Sequence, residues 1–134
     1  MPKAKSGSSK LVKKGCRLGV TAKEKGLDSP IGPMGASPYI MIFEGSSDKV
    51  TVLNNPGLGH GSRGGMMAAD AMVSNGVDVV ITGTIGKVTL DILKEAGVRV
   101  HGGCEEQVRS AMEKCLKDEL PECQHGVFAG YIGN

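Results

Sequence analysis

The hydrophobic pattern is most informative between residues 76 and 86, where the chain reads GVDVVITGTIG. Val77 to Ile81 form a short apolar run that only Asp78 interrupts, which is typical of a buried strand rather than a solvent-facing helix. Gly76 is suited to end the preceding helix in a left-handed conformation, and Gly83 begins a bare turn that leads to the next helix. We therefore predict a strand at the centre of the fold with a helix on either side of it in the sequence.

The alternation of helix and strand continues along the chain. An apolar stripe with helical spacing follows the central strand, Gly97 ends it, and residues 98–100 form another short strand. Strands that alternate with helices in this way are joined by crossovers and run parallel. A last stripe has the spacing i, i+3, i+4, i+7, i+8 and is the clearest amphipathic helix. The two stripes are Val88, Ile92, Leu93 and Ala96, then Val108, Ala111, Met112, Cys115 and Leu116.

The first half of the chain predicts an antiparallel meander. Residues 16–22, 38–43 and 50–53 are short apolar strands separated by segments rich in Gly, Pro and Ser. A helix from Gly65 to Asn75 then connects to the central strand. Together these patterns predict an α/β fold that has a five-stranded mixed sheet with strand 2 antiparallel, and three helices.

Four glycine-containing loops leave the same end of this predicted sheet. Counting chain reversals, strands 1, 3, 4 and 5 run in one direction, so the loops that follow them share one edge. Ligands of open α/β sheets bind in the crevice outside the carboxyl ends of the strands. We therefore predict a single ligand site, built from loops 23–37, 54–64, 83–87 and 101–104.

Composition limits the classes of function. The 134 residues suffice for one domain, and a net charge of +2 does not by itself indicate nucleic acid or a membrane as a partner. We expect residues 1–15 to be a flexible basic arm, 16–120 the folded domain and 121–134 a C-terminal tail. No stretch has the length of a membrane span or the pattern of a signal peptide, so we expect a cytoplasmic protein. The arm carries Lys3, Lys5, Lys10, Lys13 and Lys14.

The sequence also resembles a known family. The matching segments are VTAKEKGLDSPIGPMGASPYIMIFE, VDVVITGTIGKVTLDILKEAGVRV and VRSAMEKCLKDEL, within residues 16–120. They are similar to the dinitrogenase iron-molybdenum cofactor biosynthesis family, which includes NifX-type carriers, NifB-type carboxyl-terminal domains and orange proteins. The resemblance implies a ribonuclease H-like, three-layer α/β/α fold and non-covalent binding of a metal-sulfur cluster or its precursor. One departure is Met34-Gly35-Ala36, where the family often has Phe-Gly-Arg, so an anion-binding arginine is missing.

The residue types in the four loops suit an anionic cluster of this kind. Backbone N–H groups, a helix N-terminus and lysine stabilise anions, and soft sulfur or imidazole groups ligate the metals directly. The predicted cluster-binding residues are Gly59, Gly61, Gly83, Thr84, Gly86, Lys87, Gly102 and Gly103, and the predicted metal ligands are His60, His101 and Cys104.

Each predicted ligand also has an ordinary alternative. His60 could be a solvated loop residue, His101 could donate to a loop carbonyl, and Cys104 could be a serine-like cap at the predicted N-cap of the last helix. The other cysteines fit other roles: Cys16 and Cys115 are predicted core residues, and we assign Cys123 with His125 to the tail rather than to a chelating pair. The methionines of the first helix, Met66, Met67 and Met72, are expected to serve packing rather than Cu(I) binding.

Three functions compete at this point. The first is a carrier or scaffold that holds an iron-molybdenum, molybdenum-copper or iron-sulfur cluster without catalysis and exchanges it with a donor or acceptor protein. A phosphate- or nucleotide-binding regulatory module is the alternative, although the Gly-x-Gly-x-x-Gly and Walker spacings are absent. A nuclease is ranked last, because Asp28, Asp70, Asp78 and Asp91 are dispersed and two-metal chemistry needs converging carboxylates. The sequence gives little reason to expect nucleic acid as a partner.

Overall fold

A computed structural model describes residues 15–45, 49–124, 126–128 and 131–132, with the side chains of Phe128, Tyr131 and Ile132 outside the description. Residues 1–14 of the predicted basic arm, residues 46–48 and His125 therefore lie outside the described residues. The strands are β1 (Arg17–Ala22), β2 (Tyr39–Glu44), β3 (Val50–Asn54), β4 (Val79–Ile81), β5 (Arg99–His101), β6 (Val127–Phe128) and β7 (Tyr131–Ile132). The α-helices are α1 (Gly64–Ser74), α2 (Lys87–Glu95) and α3 (Val108–Leu116), and a 3-10 turn, Gly61–Arg63, precedes α1.

Five strands form one sheet in the order β3-β2-β1-β4-β5. β2 is antiparallel to both β1 and β3, whereas β1, β4 and β5 run parallel to one another. β6 and β7 form a separate antiparallel pair. The predicted meander, the parallel crossovers and the mixed sheet with strand 2 antiparallel are confirmed.

Apolar side chains on both faces of the sheet build the core. On one face, Leu18, Val20 and Phe43 pack with the apolar side of α3. On the other face, Ile40 and Ile42 pack with α1 and α2, which contribute Ala68, Ala69, Met72, Leu90 and Leu93. The two clusters make the three-layer α/β/α arrangement that the resemblance implied.

The helix ends follow the glycine signals in the sequence. Gly76 after α1 has a φ of +72° and Gly97 after α2 has a φ of +82°, in the left-handed region that only glycine adopts without strain. Asp78, the polar residue in the central apolar run, lies just before β4, and its Oδ2 accepts a hydrogen bond of 2.9 Å from the Arg17 backbone N–H. The carboxylate therefore helps align β1 with β4 at the amino end of the sheet.

Candidate functional site

The loops that follow β1, β3, β4 and β5 contact one another at the carboxyl end of the sheet. The Gly83 N–H donates to the Gly32 carbonyl at 3.0 Å, and the Gly103 N–H donates to the Gly83 carbonyl at 2.8 Å. The Met34 N–H donates to the Thr84 carbonyl at 2.9 Å, and the Asn55 side-chain amide reaches the Met34 carbonyl at 3.1 Å. The prediction that these four loops meet is confirmed, and β4 with its loop lies at their centre.

Two buried threonines at the ends of β1 and β4 hold these loops by hydrogen bonds. Thr21 at the end of β1 and Thr82 just after β4 are fully buried, and their hydroxyl oxygens lie 2.7 Å apart. The Thr21 hydroxyl donates to the Gly32 carbonyl at 2.8 Å, and the same carbonyl accepts the Gly83 N–H. The sequence reasoning missed this pair, although a polar residue at the end of each of two buried strands was the available signal.

The segment Gly26-Leu27-Asp28-Ser29-Pro30 caps the start of α3 with its backbone carbonyls. The first two N–H groups of that helix, from Val108 and Arg109, donate to the carbonyls of Ser29 and Leu27 at 2.9 Å each. These are donors that a helix leaves without an internal partner. The loop therefore occupies the N-terminus of α3, so this helix end is not open to an anion.

The start of α2 differs from that of α3 because its turn has unused donors. Gly86 is the N-cap in an extended conformation, with φ −77° and ψ 163°, and no side chain caps the helix. Within residues 15–45, 49–124 and 126–128, the N–H groups of Thr84 and Gly86 donate to no acceptor. Nothing lies within 4 Å of the position that a Gly86 side chain would take. This turn has the features that an anion site requires.

Lys87 adds a cation beside this turn. Its side chain is exposed, and its Nζ forms an ion pair of 2.9 Å with the Asp91 carboxylate one helical turn later. The hydrogen bond from the ammonium to Asp91 and the charge of that carboxylate raise the pKa of Lys87. The lysine is therefore charged at neutral pH, and Asp91 competes with any other anion for it.

Cys104 is placed differently from the prediction. The N-cap of α3 is Gln107, not Cys104, so the helix does not stabilise a Cys104 thiolate in the way an N-cap position would. The side chain is buried, and its thiol points to the His101 carbonyl at a sulfur-oxygen distance of 3.9 Å. Burial, and then the negative charge of Glu106, raise the pKa of Cys104 to about 12. The thiol is therefore protonated at neutral pH.

The three predicted metal ligands do not form one group. His101 is buried and its Nδ1 lies 3.0 Å from the Pro121 carbonyl, which can only accept, so Nδ1 is the donor in this hydrogen bond. His60 is exposed in a different loop, just before the 3-10 turn. In the described part of the chain, no three His, Cys, Asp or Glu side chains are grouped so that they could hold a metal ion.

Apart from Gly86 in the turn before α2, the predicted glycines divide into two sets. Gly59 and Gly61 flank His60, are exposed and have φ values of +86° and +57°. Gly83, Gly102 and Gly103 lie in the contacts between the loops after β4 and β5, where the Gly83 N–H is already bonded to Gly32. The N–H groups of Gly83 and Gly103 are therefore not available to a ligand, whereas those of Thr84 and Gly86 are.

The carboxylates are held apart from one another. Asp28 pairs with Arg109 at 3.7 Å, Asp78 accepts from Arg17 at the amino end of the sheet, and Asp91 pairs with Lys87. They do not converge on one position, as two-metal hydrolysis requires.

Comparison with known proteins decides the family. The sequence model described as dinitrogenase iron-molybdenum cofactor matches residues 12–118, which is most of the chain. The protein belongs to the dinitrogenase iron-molybdenum cofactor family. This membership confirms the resemblance seen in the sequence. No curated protein matches the chain.

Solved structures agree with the fold of this dinitrogenase iron-molybdenum cofactor family member. The apo orange protein from Desulfovibrio gigas superposes with a TM-score of 0.76 at 24% identity, covering 87% of this chain and 100% of that one. A candidate NifB protein from Thermotoga gives 0.68 at 27% identity, covering 80% and 92%. A candidate dinitrogenase from Methanocaldococcus jannaschii gives 0.59 at 10% identity, covering 81% and 94%. Among the described residues, none of the helices is both long enough and apolar enough to be a candidate membrane span.

The family match ends at residue 118, before a segment that contacts the candidate site. The N–H and carbonyl groups of Val127 pair with those of Ile85 at 2.7 Å each, in the loop between β4 and α2. Cys123 is buried, and its N–H donates to the Val100 carbonyl of β5 at 2.7 Å. In this family member, the chain beyond the family match therefore packs at the carboxyl end of the sheet.

Proposed function

We propose that the protein is a non-catalytic carrier or scaffold for an anionic metal-sulfur cluster or its precursor, held in a glycine-rich crevice at the carboxyl end of the sheet. Family membership supports the class of cargo. The observation that carries the assignment of the site is the turn before α2, where the Thr84 and Gly86 N–H groups have no acceptor in the described part of the chain and Lys87 lies beside them. The cargo is of the iron-molybdenum, molybdenum-copper or iron-sulfur type.

The physical case rests on how sulfide-rich clusters are stabilised. Such a cluster is an anion, and the N-terminus of a helix carries about half a positive elementary charge together with N–H donors that lack internal partners. Gly86 has no side chain to obstruct the approach, and the Lys87 ammonium adds a mobile charge. These groups hold an anion through hydrogen bonds and charge, without a bond to the metal.

The side chains at the carboxyl end of the sheet favour a cluster held by hydrogen bonds and charge over a cluster whose metals are bonded to the protein. Bonding through Cys104 requires removal of a proton from a buried thiol whose pKa is about 12. His60 lies in the loop after β3, whereas His101 is the last residue of β5 and is buried beside Pro121. Direct bonding by these three residues stays a prediction that requires a rearrangement of the loops.

The proposal implies protein partners and no chemistry on the cargo. A cluster that is only caged can be transferred, so the expected partners are a donor and an acceptor protein in cofactor assembly. A phosphate-binding module would use the same donors, because phosphate is also an anion that binds at helix N-termini. The test must therefore compare the two kinds of anion.

The test is an anaerobic binding titration with tetrathiomolybdate as the probe, followed by equilibrium dialysis. Asp91→Asn frees Lys87 from its partner, so we expect up to about fivefold tighter binding at low salt. Lys87→Gln should weaken binding by a similar factor. Asp70→Asn is the matched control, because it removes the same charge from an exposed position on α1 and should leave affinity nearly unchanged.

Inorganic phosphate is titrated in the same series. Tetrathiomolybdate binding that a hundredfold excess of phosphate does not displace supports the carrier assignment. Phosphate that binds more tightly than tetrathiomolybdate, with the same response to the Lys87 and Asp91 variants, would transfer the assignment to the phosphate-binding module.

A further inference from the structure

The C-terminal segment covers the turn to which we assign the cluster. We infer that residues 121–124 and 126–127, here called the C-terminal strap, are a displaceable cover that lies over the Lys87 N–H at the first turn of α2 in the unloaded protein and moves aside when a cluster binds. This inference rests on the proposed function and adds a regulatory step to it.

The strap crosses the edge of the sheet from one face to the other. It begins beside α3, where the Pro121 carbonyl accepts the His101 Nδ1–H at 3.0 Å. The Cys123 N–H then bonds the Val100 carbonyl on the edge strand β5, and Cys123 itself packs with the core cluster of α1 and α2. The strap ends at Val127, which forms two 2.7 Å hydrogen bonds with Ile85.

The strap lies against one side of the first turn of α2. A side-chain carbon placed on Gly126 would lie 3.1 Å from the Lys87 backbone nitrogen and 3.5 Å from the Gly86 carbonyl carbon. A side-chain carbon on Gly102 would lie 3.2 Å from the Cys123 sulfur. An anion that bonds to the Lys87 N–H would therefore need the space that Gly126 fills, whereas the side of the turn where a Gly86 side chain would stand is open.

The hydrogen bonds of the strap can open without breaking the five-stranded sheet. The carbonyl groups that its N–H groups use belong to the outer edge of β5 and to the loop after β4, not to the interior of the sheet. Its ion pair, Glu122 with Arg99 at 3.4 Å, is about half exposed and contributes little. The bonds that join the loops beneath it, from Gly103 to Gly83 and from Cys104 to Thr82, do not involve the strap.

Hydrogen exchange resolved to single amides tests this directly in the full chain. Tetrathiomolybdate at a saturating concentration should accelerate exchange of the Cys123 and Val127 amides at least tenfold. The Gly103 and Cys104 amides are the internal control and should keep their protection, because their acceptors lie within the domain. Tetrathiomolybdate that binds while the Cys123 and Val127 amides stay fully protected would overturn the strap and leave the proposed function intact.

Two variants test the same step by kinetics. Val127→Pro removes the N–H that bonds to Ile85, and Gly126→Val places side-chain atoms against the backbone of Lys87. Each should increase the rate of tetrathiomolybdate uptake severalfold, and either one suffices if the other fails to fold. Ala96→Val is the control, since it adds the same two methyl groups at an exposed position after the far end of α2.

The outcomes separate the two claims. Faster uptake in both strap variants but not in Ala96→Val supports the cover. Uptake at equal rates in wild type and strap variants contradicts the cover alone. A failure of wild type and all variants to take up tetrathiomolybdate contradicts both the cover and the carrier assignment.

Discussion

At the scale of single residues, Cys104 shows how burial overrides a local expectation. The sequence placed it at the start of a helix, where the helix dipole lowers the pKa of a thiol. In the structure the helix begins at Val108, and Cys104 is only 5% exposed within the apolar cluster beneath α3. The loss of water around the sulfur therefore dominates and raises the pKa to about 12.

This shift predicts a dependence of stability on pH. In the unfolded chain the thiol loses its proton near its ordinary pKa of 9.0, whereas the folded protein keeps the proton up to about pH 12. The free energy of unfolding should thus fall above pH 9, approaching a slope of about 1.4 kcal/mol per pH unit as the unfolded thiol becomes fully ionised. Urea unfolding between pH 8 and 10 measures it.

The variants isolate the contribution of this thiol. Cys104→Ala should remove the contribution of this thiol to the pH dependence of the free energy of unfolding. Cys16→Ala, which changes a half-buried cysteine just before β1, should retain that contribution. Identical slopes in wild type and Cys104→Ala would show that the buried thiol is not responsible.

At the scale of elements, glycines at the carboxyl end of the sheet have two functions, close backbone packing and access for a ligand. At the start of α1, a side-chain carbon on Gly64 would lie 2.6 Å from the carbonyl oxygens of both Gly35 and Gly57, so the loops after β1 and β3 meet the helix there through bare backbone. At the start of α2, the same addition to Gly86 meets nothing within 4 Å. The first glycine permits packing, and the second leaves space for a ligand.

A pair of alanine variants should separate the packing function of Gly64 from the ligand access that Gly86 provides. Gly64→Ala should destabilise the fold by about 2 kcal/mol, because backbone atoms must shift to accept the methyl group. Gly86→Ala should change stability by no more than about 0.5 kcal/mol and instead weaken tetrathiomolybdate binding. Thermal unfolding and the binding titration measure the two effects. An equal loss of stability in both variants would mean that Gly86 is also a packing residue.

At the scale of the whole molecule, the hydrophobic periodicity and the count of chain reversals were enough to predict the sheet, but not to predict which residues form the site. Short apolar strands ending in glycine turns fixed strand directions, so the meeting of the four loops followed from counting. The strap was missed because its contacts join residues far apart in sequence, such as Ile85 with Val127, and because Cys123 and Gly126 lie in no periodic pattern. The contacts of the Ser29 and Leu27 carbonyls with the start of α3 also join residues far apart in sequence. The sequence therefore did not show that the N-terminus of α3 is occupied while the turn before α2 has unused donors.

Carriage of a metal-sulfur cluster by this protein can be measured as the metal and sulfide content of the protein isolated anaerobically from its native source, together with its visible spectrum. We expect molybdenum, iron or copper in simple ratio to the chain, with acid-labile sulfide and charge-transfer bands that disappear when the cargo is removed. A colourless, metal-free protein that also takes up neither tetrathiomolybdate nor a reconstituted iron-sulfur cluster would contradict it.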